Sequence, residues 1–217
     1  MKDIANNLLS FLKSPFLPEA YSPIKPNTFL ILLILTLAII IPYALILEAA
    51  GMDQFDHKLE ELLKDNKWVV AIAVIFLAPL LEEPIFRLHL DLKISSIWWG
   101  IGLSVLMLSE VWWPVVLIWM YLFFLTYRVS KGNPPNLKYV IWISSALFAL
   151  VHMGNFTDFD YGKYFYWVPF MVGAQFVVGL VLSYIRLNHG MKWAIIFHGV
   201  YNAVLIIPAV YFYEGLT

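Results

Sequence analysis

Residues 28–47 are twenty consecutive residues without a charge. At 1.5 Å per residue a helix of that length crosses the hydrocarbon core of a bilayer. Comparable apolar runs recur at 68–90, 94–109, 111–127, 139–153, 164–185 and 193–213. Backbone polar groups in lipid must be paired within the segment, so apolar runs of this kind fold as helices. The chain of 217 residues is 61% hydrophobic and 13% charged, where a soluble domain carries about a quarter charged residues. These features predict an all-α, polytopic transmembrane helical bundle of about seven spans. It is an integral, multi-pass membrane protein. A net charge of -1 without a basic patch excludes nucleic acid as a partner. The absence of cysteine excludes disulfides, a thiol nucleophile and a thiolate metal site.

Two units are expected. Residues 1–27 carry four prolines, and Ile4, Leu8, Phe11 and Leu12 fall at helical spacing. The tail is either a short helix lying on the membrane surface or loosely ordered. Residues 28–217 form one transmembrane bundle. Within it, 48–67 reads as a wet loop with room for a short helix, and 94–127 as a helical hairpin split at Ser109-Glu110. A re-entrant pair is the other reading of that hairpin. With seven spans, ten of the fourteen lysines and arginines fall on the side of the N-terminus. The positive-inside rule makes that side cytoplasmic. Aromatic residues at segment ends, from Trp68 to Tyr213, fit interfacial belts.

Ionisable groups inside apolar segments mark functional sites. Three sets stand out. The first is Glu82-Glu83-Pro84-Ile85-Phe86-Arg87. Glu83 and Arg87 are four apart and share a helix face. Glu82 is turned away by about 100° and has no local partner. Pro79 and Pro84 leave the carbonyls of Ile75 and Leu80 without their usual N–H. The second set is His152, four residues after Phe148, and the third is His198 with Asn202. Each has a plainer explanation: an ion pair at a helix end, a backbone-satisfied histidine, or hydrogen-bonding glue between helices. Together they bring two carboxylates, two histidines, an asparagine and an arginine from three helices. That set suffices for one hydrolytic site with a carboxylate base and oxyanion donors. Glu48 and Glu110 are expected to be solvated, His89 interfacial, His57 and His189 in loops, and Gln175 and Gly179 in packing.

Glu82-Glu83-x-x-x-Arg87, Phe148-x-x-x-His152 and His198-x-x-x-Asn202 resemble, in order, the three motifs of the CAAX-protease and bacteriocin-processing (CPBP, or Abi) membrane peptidases. These are related to the eukaryotic type II CAAX prenyl endopeptidase. The resemblance covers about 68–206, the expected peptidase core, with 94–127 as an added hairpin. It implies an intramembrane endopeptidase acting on a peptide or membrane-associated protein, in a bacterial cytoplasmic membrane if the source is bacterial. It also implies roles: Glu82 activates water beside His152, Glu83 and Arg87 orient the site, and His198 and Asn202 stabilise the oxyanion. A zinc-dependent variant would use Glu82, His152 and His198 as ligands, although no His-Glu-x-x-His helix is present. Rival readings are a non-proteolytic immunity or scaffold protein, and a transporter with a charge relay. The chain shows no paired halves of the kind transporters carry.

Overall fold

The structure, a computed structural model, describes residues 1–212. The side chain of Glu60 and the expected interfacial Tyr213 lie outside the described residues. Eleven α-helices run α1 Lys2–Lys13, α2 Pro26–Ala49, α3 Lys58–Ile72, α4 Ala78–Arg87, α5 Ile94–Ser104, α6 Trp113–Ser130, α7 Leu137–Val151, α8 Tyr161–Tyr164, α9 Val168–Met171, α10 Gly173–His189 and α11 Met191–Phe212. There is no β-strand among the described residues, only an isolated bridge between His57 and Phe156.

Among the described residues six helical stretches are long and apolar enough to cross a membrane: Pro26–Ala49, Glu61–Asp91, Trp113–Ser130, Leu137–Asn155, Tyr161–His189 and Met191–Phe212. The seventh apolar segment, Ile94–Met107, is shorter. At 1.5 Å per residue it reaches only about 20 Å, less than a bilayer core. It packs against α6 as the other arm of the expected hairpin. Large apolar side chains such as Ile46, Phe76, Leu106, Met120 and Phe170 point outward. Such a surface suits lipid contact, since a helix apolar all round is buried or spans a membrane.

The second span starts earlier than its hydropathy indicates. The His57 side chain accepts a hydrogen bond from Leu59 N–H at 3.1 Å and caps α3 in the segment read as a wet loop. Asn66 breaks the helical angles (φ −159°, ψ 87°), and its Oδ1 accepts from Val69 N–H at 3.2 Å, so the helix restarts before the apolar run. The sixth segment differs at both ends. Its start is broken into α8, a 3₁₀ turn and α9 before α10 begins. Its end continues to His189, so Arg186, the first residue past the apolar run, lies buried within α10.

α4 occupies the middle of the bundle and touches α5, α7, α10 and α11. Ile85, Phe86 and Arg87 are almost fully enclosed. α7 and α10 pack closely at Gly179, where an added Cβ would sit 3.1 Å from the Ser145 Cβ. This closeness, typical of small residues between membrane helices, brings the end of α7 against α4.

Candidate active site

Between α3 and α4 the helix widens into a π-helical turn over Ala73–Leu77. The sequence cause is Pro79, which has no N–H to offer the carbonyl of Ile75. α11 lies on that turn. The Asn202 Nδ2 donates to the carbonyl of Val74 at 2.8 Å. The Ile75 carbonyl oxygen is 2.8 Å from where a Cβ on Gly199 would stand. Only glycine allows this approach, and it carries the neighbouring His198 into the bundle.

His198 joins the two glutamates. Its Nδ1 donates to Glu83 Oε1 at 2.9 Å, and its Nε2 faces Glu82 Oε2 at 3.8 Å. Glu83 and Arg87 are fully buried and pair through Oε2 and Nε at 3.6 Å. Glu82 lacks a partner on its own helix and meets one only across the bundle. Its side chain keeps 18% exposure, so of the two carboxylates it is the one open to a solvent-borne reactant. Asn202 is turned to the Val74 carbonyl on the same turn of α11, with its second amide hydrogen uncommitted.

His152 sits in the 3₁₀ turn His152–Asn155 that ends α7. A carbonyl can only accept, so the 2.8 Å contact to Phe148 O is donated by His152 Nδ1–H and leaves Nε2 as an acceptor. Among the described residues His152 forms no ion pair with either glutamate. The ring of Phe148 is the shared wall. The Arg87 guanidinium lies over it at 4.0 Å, and the rings of His152, Phe86 and His198 meet it edge-on at 4.9, 5.3 and 5.9 Å. Phe148 is a site residue that motif reading treats only as a marker. Its signal is its position one helical turn before His152.

The site is rich in uncommitted polar atoms. Glu82 Oε2, Glu83 Oε2 and all three Arg87 guanidinium nitrogens are buried without a hydrogen-bond partner, as are Ser145 Oγ and Gln175 Oε1 nearby in α7 and α10. Buried polar groups are normally satisfied, and unpaired ones cost about 1–3 kcal/mol each. Glu82, His152 and His198 are the residues that would hold zinc in a metal-dependent variant. Among the described residues no three His, Asp or Glu side chains are grouped to hold an ion.

Other expectations change as well. His89 is buried within the bundle: its Nδ1 meets the Ile85 carbonyl at 3.2 Å and its ring meets Tyr121. His189 closes α10 instead of lying in a loop. Glu110 is exposed as expected, and lines a cleft of about 230 Å³ with Lys58, Gly154 and Tyr161, away from the carboxylates.

Residues 64–204 match the family described as type II CAAX prenyl endopeptidase Rce1-like. The chain belongs to that family. All three polar sets lie within the matched residues, as do the π-helical turn and Gly199. No curated protein and no solved structure matches the chain. Family membership and the six membrane-length helices make this an integral, multi-pass membrane protein of a protease family.

Proposed function

We propose that the chain is an intramembrane endopeptidase in which Glu82 activates water for attack on a peptide carbonyl. The observation that carries this reading is His198 bridging the two carboxylates, at 2.9 Å to Glu83 and 3.8 Å to Glu82, beside a fully buried Arg87. A buried pair of like charges is tolerated only with such compensation.

In the proposed reaction Glu82 takes a proton from water as the water oxygen bonds to the carbonyl carbon. His152 Nε2, free to accept, helps to hold that water. Negative charge gathers on the former carbonyl oxygen, and the second Asn202 amide hydrogen and His198 stabilise it. The C–N bond then breaks, and the proton on Glu82 passes to the departing amine. The products are a carboxylic acid and a free amine. Glu83 and Arg87 hold the His198 ring and the rim of the site. No step passes through a metal. The substrate is a peptide or membrane-associated protein segment that reaches the site within the bilayer. The N-terminus is assigned to the cytoplasm, an orientation that the distribution of lysine and arginine supports when Ile94–Met107 is counted as a seventh crossing.

The test is purified wild type and Glu82→Gln, each incubated with a proteome-derived peptide library and with a farnesylated Cys-a-a-X peptide. New N-termini are then identified by mass spectrometry. Termini seen only with wild type are expected, since a positioned general base contributes roughly 10²–10⁴-fold. Identical products from both proteins would overturn the assignment.

A further inference from the structure

The family match begins at residue 64, but the N-terminal tail is part of the core. Phe11 of α1 is 4% exposed and meets the ring of Tyr184 edge-on at 5.2 Å. Beyond α1 the chain crosses the end of α10. Ser22 N–H donates to the Asn188 carbonyl at 3.4 Å, and the Ser22 carbonyl accepts from His189 Nδ1 at 2.9 Å. Gly190, at φ +94°, makes the joint between α10 and α11, and Tyr21 lies on it. A Cβ there would stand 3.4 Å from the tyrosine ring.

Tyr21 reaches a buried cation. Arg186 Nη1 donates to the Tyr21 hydroxyl at 2.6 Å, and the guanidinium lies 5.1 Å from the ring centre. Arg186 is 4% exposed, and its Nη2 faces Asp91 Oδ2 at 3.9 Å. Asp91 in turn accepts from Ser96 Oγ at 2.9 Å and Lys93 N–H at 3.0 Å. Asp91 ends the 3₁₀ turn Leu88–Asp91 that continues α4, four residues after Arg87. A buried arginine needs partners at each nitrogen, and Arg186 Nε already has none. Losing the tyrosine hydroxyl leaves Arg186 to satisfy itself on Asp91, and so to draw on the end of α4.

We propose that Tyr21 is a positioning residue for the catalytic helix, acting through Arg186 and Asp91. The matched core thus carries a buried cation whose hydroxyl partner comes from outside the match. The proposal rests on the reading of Glu82 as the catalytic base, with Glu83 and Arg87 holding the site around it. A misplacement of about 1 Å at a catalytic group can cost on the order of 10²-fold.

The probe is an internally quenched peptide built on a sequence cleaved in the library experiment, used with Tyr21→Phe, Arg186→Met, their combination, and Glu82→Gln. Tyr21→Phe keeps the ring and removes one oxygen. We expect its kcat to fall about tenfold with KM unchanged, at a temperature where its circular dichroism equals that of wild type. In the Arg186→Met background, or in Asp91→Asn if that variant does not fold, Tyr21→Phe is expected to have no further effect. A kcat for Tyr21→Phe within about twofold of wild type, with Glu82→Gln inactive, would overturn the clamp alone. So would equal losses in both backgrounds, which would mark a brace for the tail. An active Glu82→Gln would overturn the catalytic reading beneath it.

Discussion

Gly199 sets how closely α11 approaches the widened turn, and Gly199→Ala tests whether that closeness builds the site. A Cβ at residue 199 would lie 2.8 Å from the Ile75 carbonyl oxygen, a backbone atom that cannot rotate away. Ordinary contact begins near 3.4 Å, so the two helices must separate by about 0.6 Å. The shift acts on two short bonds at once: His198 to Glu83 at 2.9 Å, and Asn202 to Val74 at 2.8 Å. Stretched by that amount, both leave the range of good hydrogen bonds. The charged bond is worth about 1.5–3 kcal/mol and the neutral one about 1 kcal/mol. Alanine returns about 1 kcal/mol through its better helix propensity. A net loss of about 1.5–3 kcal/mol follows, with a fall in kcat approaching 10²-fold because His198 moves relative to Glu82. Gly102→Ala is the control, because nothing lies within 4 Å of its Cβ position. Thermal unfolding in detergent and cleavage of the internally quenched peptide measure both terms. Wild-type kcat in Gly199→Ala would refute the argument, and so would equal damage from Gly102→Ala.

Phe148→Leu removes the ring over which the Arg87 guanidinium sits at 4.0 Å. A desolvated cation–π contact is worth about 2 kcal/mol, so a lower unfolding temperature and a fall in kcat of roughly tenfold or more are expected in the same two assays. The proposed reaction uses no metal, so EDTA followed by desalting is expected to leave kcat unchanged and zinc below stoichiometric amounts by elemental analysis. Loss of activity on chelation, restored by added zinc, would reverse that assignment.

The sequence alone determined the class of fold and singled out the residues proposed for the site. The apolar runs demand membrane helices because lipid offers backbone groups no alternative partner. The same argument singled out Glu82, Glu83, Arg87, His152, His198 and Asn202, since each is costly in an apolar segment. The Glu83–Arg87 pair was visible because four residues span one helical turn. The partner of Glu82 was not: His198 is supplied by a helix 116 positions along the chain, and its contact depends on how α11 packs. The burial of Arg186 and His89 was not visible for a related reason. Hydropathy marks where an apolar run ends, whereas the helix and the core continue beyond it. Phe148 reads from sequence as one more apolar residue, and only the packed bundle puts Arg87, His152 and His198 around its ring. Tertiary structure decided these features because they depend on distances between helices, set by Gly199 and Gly179 at the contacts and by a carbonyl freed at Pro79.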